Sequence, residues 1–341
     1  MTCLVSVVMP VYNSRAYLKD AVDSILQEKS QDFELLLVDD GSTDGSSALC
    51  DEIEKQDNRV RVIHKQNGGM CQARNLGIQR AQGKWIAFAD NDDKVLPGFI
   101  DDNITLAQKY DCDCLVFGRE LRQIDSRGIT QFSKIDCPRS EECLYAEDIK
   151  KNYFKCRNVS GAVWVRFFKQ SMLIENNIVF DETFRNGFED DYFNDMVINN
   201  AKSYAFNPRV YYIWHRRSSR STSMRINENR LSSMKKMLSY EYCLLLENDL
   251  IDKAPSLCAE LFFSRIFDIL ASSHLTGKCS YTTQKPVYET MYEIASSYKQ
   301  VVNSRLPYPR LELAKRLLLR KRFFFLHVYL GLGAKIKTAS A

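Results

Sequence analysis

The residues of this sequence best placed for chemistry form an acidic turn, residues 90–93 (DNDD), directly after the hydrophobic run 85–89. Carboxylates one residue apart at a strand end supply the oxygen ligands that Mg²⁺ and Mn²⁺ prefer, and they leave positions open for substrate phosphate. We therefore predict a divalent-cation site at this turn. The alternative is a solvated acidic turn that caps the next helix, predicted over 97–110.

A second acidic pair, Glu189 and Asp190, opens a segment whose apolar residues recur every three or four positions, which predicts a helix to about residue 201. An aspartate is ionised at pH 7, so Asp190 can accept a proton from a hydroxyl group without a shift of its pKa. The alternative is the ordinary stabilisation of a helix N-terminus by acidic residues.

The glycine-rich stretch 67–77 (NGGMCQARNLG) precedes and enters a helix predicted over 73–80. Its backbone N–H groups and Arg74 are placed to face an anion. The spacing matches neither the dinucleotide-binding fingerprint nor the P-loop. The alternative for Arg74 is an exposed helix residue.

A fourth stretch, 211–221 (YYIWHRRSSRS), combines aromatic, basic and small polar residues after a predicted strand. A mobile basic loop that closes on a diphosphate has this composition. An ordinary surface loop has it as well.

The first 115 residues predict the scaffold that positions these stretches. Strands are predicted over 4–9, 33–38, 61–64 and 85–89. Helices are predicted over 16–27 and 73–80, and a third, capped by Thr43 and Asp44, runs to about residue 55. This alternation predicts a mostly parallel sheet with helices on both faces, in which ligands bind at the carboxyl ends of the strands. The loops 10–13, 39–42 and 90–93 follow three of these ends, and we expect them to converge.

The rest of the chain changes character twice. The pattern is irregular over 116–222, with a strand near 114–118 and an aromatic-rich piece around 164–168. Beyond about residue 225 it is helical, with helices predicted over 231–247, 255–271, 287–301 and 311–330. The sequence therefore predicts regions at 1–115, 116–222 and 223–341.

Composition excludes several classes of protein. Of 341 residues 45% are hydrophobic, and the net charge of +4 argues against a dedicated nucleic-acid binder. Eleven cysteines without C-x-x-C spacing, and a start without the features of a signal peptide, favour reduced thiols in a cytoplasmic protein and no structural zinc. No apolar run reaches the ~18 residues of a membrane span.

Near its C-terminus the chain places the apolar run 323–332 after a basic cluster. That cluster consists of Lys315, Arg316, Arg320, Lys321 and Arg322. Together they predict a helix on an anionic membrane surface, where each basic residue contributes about 1 kcal/mol. The alternative is a helix docked on the protein body, and a homo-oligomer interface stays open.

Five stretches together resemble glycosyltransferase family 2, the inverting transferases with the GT-A fold. They are SVVMPVYN at 6–13, VDDGSTDGS at 38–46, NGGMCQARNLG at 67–77, FADNDD at 88–93 and EDDYFN at 189–194. They follow the family's order and spacing over residues 1–222, and the last ~115 residues lie outside the resemblance.

The resemblance implies a Rossmann-like α/β GT-A domain with a helical C-terminal region. Residues 1–115 would bind a nucleotide sugar, with UDP expected, and residues 116–222 would bind the acceptor and carry the catalytic base. The implied nucleotide-binding residues are Pro10, Val11, Tyr12, Asn13, Asp39, Arg74, Asp90 and Asn91. Asp92 would ligate Mn²⁺ or Mg²⁺ against the diphosphate, and Asp190 would deprotonate the acceptor hydroxyl.

Two positions depart from the family's pattern. His215 stands where an arginine is common, so it is an additional metal ligand, a diphosphate donor or a packed neutral histidine. Trp164 begins the triplet WVR where an asparagine-lysine pair is usual. We assign Glu189, Trp164 and Arg216 to the acceptor side or to support of the base.

The resulting prediction is a metal-dependent inverting glycosyltransferase that moves a sugar from a nucleotide sugar to a glycan or lipid-linked acceptor. It would act in the cytoplasm, at the inner face of the membrane if the basic C-terminal helix binds lipid. A single carboxylate suffices for direct displacement, unlike in glycoside hydrolysis. The alternatives are a non-catalytic nucleotide-sugar or glycan-binding protein on the same fold, and a polyprenyl-phosphate sugar synthase.

Overall fold

The computed structural model describes residues 3–125, 129–157, 159–217, 227–275 and 280–339. The chain divides into two compact units. The first comprises residues 1–183 and 189–220, and the second comprises residues 184–188 and 221–341. The acidic and glycine-rich stretches lie in the first unit, and the basic cluster lies in the second.

The first unit is built around one sheet, which in the described residues has ten strands. They are β1 (Val5–Val11), β2 (Phe33–Asp39), β3 (Val60–His64), β4 (Trp85–Phe88), β5 (Lys94–Val95), β6 (Cys114–Ile124), β7 (Thr130–Asp136), β8 (Glu142–Tyr145), β9 (Arg166–Lys169) and β10 (Ser203–Arg217). Their order is β3-β2-β1-β4-β9-β6-β10-β5, with β7 on β6 and β8 on β10.

Helices alternate with these strands. They are α1 (Arg15–Leu26), α2 (Ser46–Gln56), α3 (Met70–Arg80), α4 (Asp101–Tyr110), α5 (Glu147–Lys151), α6 (Tyr153–Arg157), α7 (Gln170–Glu175) and α8 (Glu189–Asn200). A short 3₁₀ helix, Val163–Val165, precedes β9. The α/β fold class is confirmed.

The parallel part of the sheet is its first half, β3-β2-β1-β4. In the second half β9 runs antiparallel to β4 and β6, whereas β10 runs parallel to β6. Every residue of β1 and β2 is buried, as expected for valine- and leucine-rich strands covered on both faces.

The register of the parallel strands brings the predicted loops together. Val11 pairs with Asp39 in β2, and Val8 pairs with Phe88 in β4. Because these strands run in the same direction, the loops 10–13, 39–42 and 90–93 leave the sheet at one edge. The predicted convergence of the three loops is confirmed.

The predicted basic loop at 211–221 is wrong for residues 211–217, which complete β10. Tyr212 to Arg217 pair residue by residue with Arg119 to Ile124 of β6. The composition of this stretch suggested a loop, because the sequence did not reveal that β6 is long enough to pair with β10 as far as Arg217. Residues 218–221 lie outside the described residues.

The second unit is helical, as predicted. Its helices are α9 (Glu228–Glu247), α10 (Leu250–Lys253), α11 (Pro255–Leu275), α12 (Tyr281–Ser297), α13 (Lys299–Val302), α14 (Pro309–Leu319) and α15 (Phe323–Ala339). None of the helices described here has the length and apolar character needed to cross a membrane.

The single helices predicted over 287–301 and 311–330 are each interrupted. Lys321 has a φ of 55°, and the N–H groups of Lys321 and Arg322 bond back to the carbonyls of Leu318 and Leu317 at 2.9 and 2.8 Å. This left-handed C-cap ends α14. Periodicity did not reveal it, because such caps usually carry glycine.

The start of α14 is held by Glu312. Its carboxylate accepts the Leu306 N–H at 3.0 Å and lies 2.8 Å from the Nζ of Lys315, whose side chain is only 4% exposed. Desolvation favours a higher pKa, but the hydrogen bonds from Lys315, Leu306 and Arg316 lower the pKa of Glu312 to about 2.

We expect Glu312→Gln to reduce the stability of this region by about 2 kcal/mol or more, because the buried Lys315 ammonium keeps the Ser304 carbonyl but loses its carboxylate partner. Amide hydrogen exchange of residues 304–319 measures the effect. In the wild type the contribution of Glu312 is complete above the unfolded pKa near 4.5 and is lost as the pH falls towards 2.

The matched control is Glu289→Gln, which removes an exposed pair with Lys285 at 3.6 Å and should change stability by less than about 1 kcal/mol. Equal protection of residues 304–319 in the wild type and in Glu312→Gln would contradict the assignment.

Candidate active site

The turn after β4 contains three aspartates with different surroundings. Asp93 is buried and accepts hydrogen bonds from the Tyr212 hydroxyl at 3.1 Å and the His215 backbone N–H at 2.8 Å. Burial and the neighbouring carboxylates of Asp90 and Asp92 raise the pKa of Asp93 well above its usual value. Asp93 therefore joins the turn to β10 inside the protein.

Asp92 lies at the surface, with a side chain that is 41% exposed. Its Oδ2 accepts a hydrogen bond from Nη1 of Arg217 at 2.5 Å, and its carbonyl accepts one from Nη2 at 2.6 Å. The Arg217 guanidinium also lies over the Tyr17 ring, 4.1 Å from its centroid. Arg217 belongs to the predicted basic stretch 211–221 but was not singled out as a site residue, because composition does not show which of Arg216 and Arg217 faces Asp92 along β10.

Arg74 lies at the centre of the site. Its side chain is 2% exposed, and it donates to Asp190 from Nη1 at 2.6 Å and to Asp90 from Nη2 at 3.3 Å. Its guanidinium lies 5.1 Å from the Phe180 ring and 5.9 Å from the Phe88 ring. Burial disfavours the charged form, but the nearby carboxylates raise the pKa of Arg74 and keep it charged. The alternative of an exposed helix residue is wrong.

This one side chain brings together residues that are far apart in sequence. Because the same guanidinium contacts both carboxylates, the nearest oxygens of Asp90 and Asp190 cannot lie more than about 8 Å apart. Asp90 leaves the end of β4, and Asp190 lies in the first turn of α8. The arrangement places two partly exposed carboxylates on either side of one buried cation.

The start of α8 is acidic and only partly exposed. Asp190 also accepts the Val163 N–H at 3.3 Å. Burial raises the pKa of Asp190, and the Arg74 guanidinium opposes that shift. Burial and the charge of Asp190 raise the pKa of the neighbouring Glu189 to about 7. The pKa values of both carboxyl groups thus lie above their usual values.

Trp164, predicted on the acceptor side, is packed inside the unit. Its ring stacks on Tyr212 with centroids 4.2 Å apart and is 5% exposed. The Tyr212 hydroxyl accepts the Asp90 N–H at 2.9 Å. Trp164 therefore acts on the acidic turn through Tyr212.

The loop 10–13 is tied to its neighbours through Asn13 and Pro10. Asn13 donates its backbone N–H to the Ser42 hydroxyl at 3.1 Å and accepts the Thr43 N–H at 2.8 Å, while Asn91 donates to the Pro10 carbonyl at 2.7 Å. Pro10 and Val11 are buried in β1, and the side chains of Tyr12 and Asn13 are exposed. Only the last two can touch a ligand through their side chains.

Asp39 belongs to a chain of polar contacts that includes an unpredicted histidine. It accepts the Ser42 N–H at 3.0 Å and contacts Nδ1 of His64 at 2.9 Å, and Nε2 of His64 contacts Asp51 at 2.9 Å. Burial favours a higher pKa, but these hydrogen bonds lower the pKa of Asp39. His64 is the last residue of β3 and pairs with Asp39 of β2. The sequence analysis missed His64 because it did not include the register of these two strands.

The glycine-rich loop does not offer the N–H groups that were expected to face an anion. Those of Gly68 and Gly69 donate to the Asp40 carboxylate at 2.9 and 2.8 Å. Asp40 is buried and holds the loop against the end of β2. The expectation is wrong for these two groups, and Arg74 faces carboxylates of the protein.

His215 and Arg216 separate in the structure. The His215 side chain is 13% exposed with its Nδ1 4.0 Å from Asp93, and burial together with Arg217 and Arg122 lowers its pKa to about 4. Arg216 is exposed, and because side chains alternate along a strand it lies on the face opposite to Arg217. The predicted place of Arg216 on the acceptor side stays a prediction.

The side chains that meet at this edge of the sheet are mainly carboxylates and the guanidinium groups of Arg74 and Arg217. Within the described part of the chain, no group of three or more His, Cys, Asp and Glu side chains is arranged to hold a metal ion. A cation bound here would therefore take most of its ligands from substrate phosphates and water, as Mg²⁺ commonly does.

Comparison with known proteins identifies the domain. Residues 6–172 match the family described as glycosyl transferase family 2. The chain carries a glycosyltransferase family 2 domain. The predicted family is confirmed, and with it the class of enzyme to which the domain belongs.

Two curated relatives match this domain over part of their length. The glycosyltransferase GlyG of Streptococcus pneumoniae serotype 4 is 45% identical over 117 residues, which are 34% of this chain and 39% of GlyG. TuaG of Bacillus subtilis strain 168, named for teichuronic acid biosynthesis, is 34% identical over 157 residues, which are 46% of this chain and 61% of TuaG. The chain thus spans less than two thirds of either relative.

The fold is shared with a solved structure over nearly the whole chain. The crystal structure of S. aureus TarS 1-349 in complex with UDP-GlcNAc superimposes with a TM-score of 0.68 and 19% identity, covering 96% of this chain and 90% of that chain. The predicted GT-A fold is confirmed.

The contacts of His64 can be tested by NMR titration, since the chain has only four histidines. Hydrogen bonds to Asp39 and Asp51 raise the pKa of His64 above 6.5. We expect Asp51→Asn to lower that pKa towards 6.5 and to leave the titrations of the other histidines unchanged. An unchanged His64 titration would contradict the contact.

Proposed function

We propose that the chain is a metal-dependent inverting glycosyltransferase. It would transfer a sugar from a nucleotide sugar, with UDP as the favoured nucleotide, to a hydroxyl of a glycan or lipid-linked saccharide. The observation that carries the proposal is the guanidinium of Arg74 between Asp90 at the end of β4 and Asp190 at the start of α8. The UDP-GlcNAc bound by TarS and the naming of TuaG support the donor and acceptor classes.

The donor would bind at the edge where the loops 10–13, 39–42 and 90–93 meet. Asp39 is held in its ionised form by Ser42 and His64, so it can accept a hydrogen bond from an N–H of a nucleobase. Tyr12 offers an exposed ring beside it for stacking.

Asp190 would act as the general base. As it accepts the proton of the acceptor hydroxyl, the acceptor oxygen bonds to the anomeric carbon and the bond to the diphosphate breaks on the opposite side. The anomeric centre is thereby inverted. The charge of Arg74 opposes the rise in the pKa of Asp190 that partial burial causes, and the 2.6 Å contact fixes the orientation of this carboxylate.

The residues around Asp92 fit a divalent cation. Asp92 is partly exposed and presents hard oxygen atoms, and the buried Nδ1 of His215 has no hydrogen-bond partner among the described residues. When bound, Mn²⁺ or Mg²⁺ stabilises the negative charge on a leaving diphosphate. Arg217 shares the Asp92 carboxylate, so it is a second positive group available to the same phosphates.

The alternative of a non-catalytic nucleotide-sugar-binding protein predicts binding without turnover. We expect Asp190→Asn to retain donor affinity within about threefold and to reduce turnover by about 10² or more, since only the base is removed. Isothermal titration calorimetry with UDP and a manganese-dependent assay over a panel of UDP-sugars measure the two effects.

The matched control for this substitution is Asp148→Asn, which changes an exposed aspartate in the first turn of another helix, α5, and should leave turnover unchanged. Full turnover in Asp190→Asn would remove this residue from its proposed role, and binding without turnover in the wild type would favour the alternative.

Metal dependence is tested at Asp92. We expect Asp92→Ala to weaken UDP binding at least tenfold in Mn²⁺, and to change it little when the metal is removed with EDTA, because the lost ligand acts only through the cation. Asp20→Ala is the control, since Asp20 is another surface aspartate paired with a basic residue, Lys94, at 2.7 Å. Equal weakening with and without metal would contradict a ligand role.

A further inference from the structure

Helix α15 has two apolar faces. Phe323, Leu326 and Leu330 are buried. A second set, Phe324, Phe325, Val328 and Leu332, is exposed by 56%, 60%, 43% and 58%. At 100° per residue the exposed set spans only about 100° of the helix surface, on the side away from the buried set. We call these four residues the Phe324 face.

The Phe324 face is continuous. Phe324 and Phe325 contact each other edge to face at 6.0 Å, and Tyr281 of α12 packs against Phe324 at 5.6 Å. No charged residue occurs between Phe323 and Leu332. Scattered exposed apolar residues are ordinary, but an uninterrupted face with two aromatic rings marks an interaction surface.

Positive charge is concentrated beside this face. Arg320, Lys321 and Arg322 directly precede α15, and all three are exposed. The segment 305–341 contains nine Lys and Arg residues and one acidic residue, Glu312. Its net charge of +8 exceeds the +4 of the whole chain, so the remainder of the chain is net negative.

We propose that the Phe324 face, with Arg320, Lys321 and Arg322, binds the surface of an anionic lipid bilayer. The aromatic and aliphatic side chains would enter the boundary between headgroups and acyl chains, and the three basic side chains would contact lipid phosphates. A helix lying in the interface needs both an apolar face and basic flanks, and α15 supplies both.

The charge pattern favours a bilayer over a second copy of the chain. Two copies joined through this face would bring together two segments with a charge of +8 each, and like charges repel. An anionic membrane offers an apolar interior to the Phe324 face and a negatively charged surface to the three basic residues. The proposal does not depend on the proposed transferase activity.

Flotation of the full chain with lipid vesicles tests the proposal. We expect at least tenfold more protein bound to vesicles of phosphatidylcholine with phosphatidylglycerol than to phosphatidylcholine alone, and release at high salt. The double variants Phe324→Ser/Phe325→Ser and Lys321→Glu/Arg322→Glu should each reduce binding at least tenfold.

Two matched controls change equivalent side chains elsewhere. Phe132→Ser/Ile135→Ser alters two exposed apolar residues of β7, and Lys29→Glu/Lys55→Glu reverses two exposed charges. Both controls should bind anionic vesicles like the wild type. Circular dichroism confirms that all variants fold, and UDP binding should be the same in each.

Three outcomes would overturn the proposal. The first is that the wild type does not bind the anionic vesicles, and the second is that the variants on α15 bind as well as their controls. The third is a lipid-free dimer in analytical ultracentrifugation that Phe324→Ser/Phe325→Ser dissociates, which would assign the face to a second copy of the chain.

Discussion

The buried guanidinium of Arg74 is the interaction on which the candidate site depends. A charge withdrawn from water is unfavourable unless it is paired, and Arg74 is paired with Asp90 and Asp190. The two carboxylates depend on Arg74 in turn, because burial disfavours their ionised forms and its charge opposes that effect. The sheet delivers Asp90 at a strand end and α8 delivers Asp190, so neither element alone can build the pair. Removing Arg74 would leave both carboxylates without their cation, whereas removing either carboxylate leaves Arg74 with one partner.

Differences in burial give the aspartates of the turn after β4 different roles. Asp93 is enclosed and bonded to Tyr212 and β10, so it fixes the turn. Asp92 projects towards solvent, where a substrate phosphate or a cation can reach it. Nothing in the letters DNDD distinguishes these roles. They follow from which carboxylate faces β10, whose Tyr212 is itself held by Trp164.

What the sequence predicted best were features that one segment determines by itself. The strands of the first half and the start of α8 follow from local hydrophobic patterns. The convergence of three loops follows once those strands are taken to be parallel. The missed features require a partner that is distant in sequence. His64 contacts Asp39 because β3 pairs with β2 in the register that sets these two residues side by side. Arg217 lies in a strand because β10 stays paired with β6 through the stretch that was predicted to be a loop.

The break before α15 shows how a local feature can also escape sequence analysis. A lysine in a left-handed C-cap carries no glycine signal, so the pattern continues as one helix through residues 320–322. The break has a consequence for the surface. It places Arg320, Lys321 and Arg322 in a turn, where they are exposed together, and it begins a new helix whose apolar positions no longer follow the face of α14. Charge and apolar surface therefore lie next to each other because the helix ends, and the proposed membrane contact depends on that turn as much as on the composition of the segment.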